Sequence, residues 1–221
     1  KKAILDGDSF YGFGDPVSKD GFPKLEGSGK ELESLAKAMS ARYTQLYLGN
    51  NSTVNNLKKI QNSSQVLAFA THAVLPYEVK EISHPALLLD DWLTSKEIAF
   101  NFELTPQIVL LSACNTAGKR LNNKVPILDL PSSFMFSGAR TVIATNWNIE
   151  DQVTKNIMNV VADYIYKNIE EEGVVTEALR KGMQGYINKN KYAEKFSLDD
   201  GIKIDRTHPY FWASFEVIGS R

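Results

Sequence analysis

Short uninterrupted apolar runs, separated by segments of helical length, constrain this chain more than any other feature. Val66-Leu67-Ala68-Phe69-Ala70, Ile108 to Leu111 and Thr141 to Thr145 lack the polar alternation of a strand with one wet face. Runs of that kind belong to strands covered on both sides. Between them lie amphipathic stretches. Residues 30–42 place Leu32, Leu35, Ala36 and Met39 on one helical face, and residues 151–170 carry Val153, Ile157, Val160, Val161, Tyr164 and Ile165 along one stripe. Shorter helices are expected near 53–61, 128–137 (stopping at Gly138) and 174–187. Thr94-Ser95-Lys96-Glu97 reads as a capping box opening one more. Further strands are expected at 2–5, 44–48, 86–89 and 211–218, with a Gly/Pro-rich loop from Asp6 to about Gly29. In that loop Gly12-Phe13-Gly14 reads as a turn. This alternation predicts an α/β fold, a mostly parallel sheet with helices on both faces. Ligands of such sheets bind beyond the carboxyl ends of the strands.

Several classes of function are excluded before any motif is considered. The 221 residues carry 25 Lys plus Arg against 26 Asp plus Glu, which leaves no electrostatic footprint for nucleic acid or an anionic membrane. No apolar run is long enough to span a bilayer, and no signal-peptide pattern opens the chain. One cysteine makes no internal disulfide, and with three scattered histidines it makes no Cys-rich zinc site. Gly27-Ser28-Gly29-Lys30 fails as a phosphate loop, because Lys24 stands where its first glycine belongs and Glu31 where its Ser or Thr belongs. No cofactor is therefore expected. With no repeat and no linker, residues 1–221 read as one cytoplasmic domain, and a start at Lys1 suggests a piece of a longer polypeptide.

Two of the apolar runs end on residues that do chemistry. One continues as Thr71-His72-Ala73, the other as Ser112-Ala113-Cys114-Asn115-Thr116. A thiol is the most nucleophilic side chain near neutral pH, and imidazole carries protons there. Placed at one sheet edge, they can attack an acyl carbon and protonate its leaving group. The alternative is plain: a lone cysteine after an apolar strand is often inert core, and a single histidine is often structural. Trp147, near another strand end, fits either a pocket wall or the core.

Four blocks then fall in one order: Phe69-Ala70-Thr71-His72, Leu110-Leu111-Ser112-Ala113-Cys114-Asn115-Thr116, Ser137-Gly138-Ala139-Arg140-Thr141-Val142, and His208-Pro209-Tyr210-Phe211-Trp212-Ala213-Ser214-Phe215. In that order they resemble CHAT domains, which are associated with TPR repeats and related to caspases and separases. The resemblance implies a caspase-like three-layer sandwich and a cysteine endopeptidase with a His–Cys dyad. His72 takes the histidine role and Cys114 that of the nucleophile. The oxyanion donors would be the amides of Cys114 and Ala73. Ala73 stands where the family usually has glycine, and a site needing positive φ there would be strained. Asn122-Asn123-Lys124-Val125 replaces a Gly-Glu-Gly-like stretch common in relatives.

Trp147-Asn148-Ile149-Glu150-Asp151 resembles the separase segment whose acid receives an arginine side chain. Asp151, with Glu150 beside it, would then select Arg and, less strongly, Lys before the scissile bond. An acid in the first turn of a helix is also favoured by the helix dipole, so Asp151 fits a purely structural role equally well. The partners implied are a protein substrate and a TPR region of the same chain or an activating protein, in bacterial defence or cell death. Two alternatives stay open. One is a catalytically inactive scaffolding module of the same fold; the other is a flavodoxin-like binding domain with a structural Cys114.

Overall fold

The computed structural model describes residues 9–60, 65–112, 128–147, 149–168, 171–190, 196–197 and 203–219. In chain order the elements are β1 (Ser9–Gly14), α1 (Ser28–Ala38), β2 (Tyr43–Leu48), a 3₁₀ turn (Gly49–Asn51), α2 (Val54–Lys59) and β3 (Val66–Ala70). Then come β4 (Ala73–Val74), β5 (Ala86–Leu88), β6 (Trp92–Thr94), α3 (Ser95–Asn101), β7 (Ile108–Ser112), α4 (Leu130–Ser137) and β8 (Thr141–Thr145). The chain closes with α5 (Asp151–Lys167), α6 (Val174–Asn190), β9 (Phe196–Ser197), β10 (Lys203–Ile204), α7 (Pro209–Trp212) and β11 (Phe215–Gly219).

The main sheet runs β11-β8-β7-β3-β1-β2, parallel throughout except for the antiparallel edge strand β11. Side chains alternate across it into two cores, as period-2 geometry requires. Val66, Ala68, Ile108, Leu110 and Ile143 pack toward α1, α5 and α6. Leu67, Phe69, Val109, Leu111 and Val142 pack toward α2, α3 and α4. The expected α/β layering is thus present, with the sheet between two helical layers. Beside it stand a three-stranded antiparallel sheet, β4-β5-β6, and the hairpin-like pair β9-β10. The capping box forms in full: Thr94 Oγ1 accepts from the Glu97 amide at 3.2 Å, and Glu97 Oε2 accepts from the Thr94 amide at 2.9 Å. Gly138 ends α4 at φ 117°. Among the described residues no helix is long and apolar enough to cross a membrane.

Two expectations fail. The segment read as loop and turn holds a strand, Ser9–Gly14, while the strand expected at 2–5 lies outside the described residues and is not tested by them. The glycines that suggest a turn serve contact instead. A Cβ on Gly12 would stand 2.8 Å from Leu46 Cδ2 and 3.1 Å from Leu32 Cδ2. One on Gly14 would meet Leu32 Cδ1 and Ser28 Oγ, both at 2.9 Å, and the Ala70 carbonyl at 3.1 Å. Missing side chains let α1 settle on β1, a use of strand glycine that no local pattern announces. Gly14→Val is accordingly expected to cost about 1–3 kcal/mol, read from the urea midpoint. The second failure is at the other end. Residues 211–218 are not one strand, because His208 Nδ1 accepts from the Tyr210 amide and caps the short helix α7, so β11 begins only at Phe215.

Candidate active site

The ends of β3 and β7 are neighbours in register, Ala70 beside Ser112, and β1 ends beside them with Gly14 paired to Ala70. His72 lies two residues past Ala70 and Cys114 two past Ser112. Adjacent strands stand about 4.8 Å apart, so β3 and β7 end side by side. Cys114 and the loop after it, Asn122 to Val125 included, lie outside the described residues.

His72 is held from several directions. Its carbonyl accepts from the Leu88 amide at 2.9 Å, and the preceding Thr71, buried, donates its hydroxyl to the Leu88 carbonyl. Its Nε2 lies 2.7 Å from the Pro23 carbonyl oxygen. A carbonyl only accepts, so that nitrogen carries the proton and Nδ1 remains for proton transfer. The Phe22 ring meets the imidazole edge-on at 5.2 Å between centroids and rests in turn on Trp92, also at 5.2 Å. Trp92 is anchored by its Nε1, which donates to Asp20 at 2.7 Å. Nearby, the Trp92 amide holds the Asp91 carboxyl below its ordinary range, with Lys19 at 3.1 Å adding to the effect. The segment 19–23 is therefore a bracket for one imidazole. Ala73 starts β4 and is not among the residues with positive φ, so the strain expected there is absent.

The other wall comes from β8 and the segment that leads from it into α5. Trp147 is fixed by the buried Ser214, whose Oγ donates to the Trp147 carbonyl at 2.9 Å, while the indole Nε1 donates to the Tyr210 carbonyl at 2.9 Å. The C-terminal aromatic block thus serves as the support of this wall. Glu150 stands at the N-cap position of α5 without a side-chain cap bond and accepts at Oε2 from Arg206 Nη1 at 3.0 Å. Asp151 opens α5; its side chain lies outside the described part of the structure.

Between these walls runs an open cleft of about 750 Å³ at the carboxyl ends of the strands. His72, Thr71, Ser112, Thr145, Trp147 and Glu31 are among its lining residues; Glu150 is not. Sequence reasoning points to His72, Trp147 and the Ser112 block. It misses Pro23 and Phe22, whose role rests on a contact across 49 residues, and it meets Glu31 only as a misfit in a phosphate loop. Among the described residues no cluster of three or more His, Cys, Asp or Glu can hold a metal ion.

The CHAT domain family model matches residues 6–220. Three-dimensional likenesses include the arginine-specific cysteine proteinase gingipain R, with a TM-score of 0.55 at 12% identity over 100% of this chain and 47% of that one. The complex of the RgpB pro- and mature domains of Porphyromonas gingivalis gives 0.54 at 12%, over 99% and 49%. Pro-sf-caspase-1 gives 0.55 at 10%, over 98% and 88%. The chain spans about half the length of the first two. At such identities the likeness establishes the fold, that of caspase-like cysteine peptidases. No curated protein matches the chain by sequence.

Proposed function

The chain belongs to the CHAT domain family, and from that premise we propose that it is a cysteine endopeptidase whose dyad is His72 and Cys114. The observation that carries this reading is the bracketed imidazole on the wall of the cleft. It stands at the end of a strand in register with the one that leads to the chain's single cysteine.

In the proposed cycle the Cys114 thiol gives its proton to His72 Nδ1, and the thiolate sulfur bonds to the scissile carbonyl carbon. The imidazolium is steadied by the Pro23 carbonyl at Nε2, in the way a third group orients the base in other dyads. The tetrahedral oxygen takes hydrogen bonds from the amides of Cys114 and Ala73. Breaking the carbon–nitrogen bond sends the Nδ1 proton to the leaving amine. Water then adds to the thioester carbon and gives a proton to His72; the carbon–sulfur bond breaks, the sulfur takes that proton back, and the acid product leaves. The proposed preference is for Arg or Lys before the scissile bond. A TPR-bearing region or activating protein, in the cytoplasm and in a bacterial defence setting, is the proposed regulator.

The test is cleavage of a peptide mixture presenting every residue type before the scissile bond, by the wild type and by Cys114→Ala and Asp151→Ala. Cleavage after Arg or Lys that requires Cys114 supports the reading. Cleavage surviving in Cys114→Ala refutes it. Phe22→Ala removes the ring behind the imidazole and is expected to lower kcat about tenfold or more with a smaller change in KM, since it disturbs orientation rather than binding.

A further inference from the structure

We propose that Glu31 is the anionic base of the specificity pocket, receiving the guanidinium or ammonium group of the substrate residue before the scissile bond. The proposal rests on the endopeptidase reading and moves its charge selection to a residue on another element. Glu150 is committed elsewhere: it bonds Arg206, whose guanidinium lies over the Phe196 ring at 5.3 Å and the Phe211 ring at 6.0 Å. An acid already serving an internal guanidinium, and outside the cleft lining, is a poor receptor for a second one.

Glu31 is placed differently. It lies in the first turn of α1, half-buried, and lines the cleft. Its Oε1 accepts from Ser112 Oγ at 2.5 Å, and Ser112, also lining the cleft, is two residues before Cys114. The carboxylate is thereby fixed against the cleft wall at the end of β7, two residues before Cys114 in sequence. One helical turn back, Ser28 lines the same cleft and accepts from the Asp15 amide at 2.6 Å. Asp15 Oδ1 is buried and has no hydrogen-bond partner among the described residues, and the residue holds a left-handed φ of 43° at the end of β1. Asp15 itself is not among the lining residues, so of these two acids only Glu31 faces the cleft.

Cations are present too, and their positions decide their weight. Lys24 and Lys30 stand at the rim, and Lys155 is half-buried on α5. Lys24 and Lys30 are screened by water and salt, whereas the half-buried, hydrogen-bonded Glu31 carboxylate acts in a lower dielectric; Lys155 is half-buried too and keeps its weight, opposing a cationic side chain on the α5 side of the cleft.

The experiment measures binding without turnover. Peptide amides carrying Arg, Lys, citrulline or norleucine at one position are titrated calorimetrically into the Cys114→Ala chain, alone and with Glu31→Gln or Asp151→Asn. Glutamine keeps an acceptor for Ser112 and removes the charge, and the thermal midpoint checks that each variant folds. The Arg peptide is expected to bind about tenfold or more tightly than its neutral isostere citrulline. Glu31→Gln is expected to erase that difference and leave norleucine binding unchanged. Three results overturn the proposal: no Arg-over-citrulline difference in the Cys114→Ala chain (absence of binding included), equal loss for all peptides in Glu31→Gln, or a preference that survives Glu31→Gln and disappears in Asp151→Asn. If the wild type cleaves none of these peptides while the Glu31-dependent preference persists, the endopeptidase reading fails and the pocket stands.

Discussion

Cys114→Ala is expected to abolish peptide cleavage, with kcat falling by about 10⁴-fold or more while circular dichroism and the thermal midpoint stay close to wild type. The size comes from chemistry: without the sulfur no acyl-enzyme forms, and what remains is positioning and oxyanion stabilisation around bulk water. The fold should survive, because Ile108, Val109, Leu110 and Leu111 anchor β7 in the two described cores and the change removes a single sulfur atom. His72→Ala should fall less far, by about 10²–10⁴-fold, since a thiol retains some thiolate near pH 7 without a base. The two together should cost little more than Cys114→Ala alone, because groups that act as one unit are not additive. A double variant as active as the histidine variant would show that cleavage does not pass through the sulfur.

The second large effect concerns stability. Phe69→Ala should destabilise the chain by about 3–5 kcal/mol, a large share of the roughly 5–15 kcal/mol that holds a typical domain. Phe69 is fully buried on β3, with ring centroids 5.5 Å from Phe13 and 5.3 Å from Phe134, so its removal opens a cavity bordered by β1 and α4. Neither neighbour can fill the gap without leaving its own strand or helix. The expected fall in thermal midpoint is about 10 °C or more, measured by calorimetry. A change under about 1 kcal/mol would mean that this core is far looser than its burial states. Because β3 carries His72 two residues beyond Ala70, the same variant should lose activity well before it unfolds.

The fold is legible wherever the information is local. Apolar runs, the Thr94–Glu97 capping box and the Gly138 stop each act over a few residues, and each marks its element. The strand β1 is illegible because Gly12 and Gly14 signal a turn locally, while their purpose is the approach of Leu32 and Leu46 from other elements. The C-terminal block reads as one strand, yet a single His-Pro pair, capping α7, delays β11 by four residues. At the proposed site, His72 and Cys114 can be named as candidates because chemistry limits which residues can act as nucleophile and base. The residues that prepare them cannot.

The sequence by itself determined the layered α/β class, the two strand ends that hold the proposed dyad and the family that their order marks. Tertiary structure alone decided three matters: that the Pro23 carbonyl fixes the His72 tautomer, that Arg206 occupies Glu150, and that Glu31 reaches Ser112 from another element. The reason is range. Hydrophobic periodicity and capping are written in neighbouring residues, but these bonds join positions 49, 56 and 81 residues apart. Any carbonyl, arginine or glutamate in the chain could have made them, and only the packing of β1, α1 and α5 around one sheet edge selected which did.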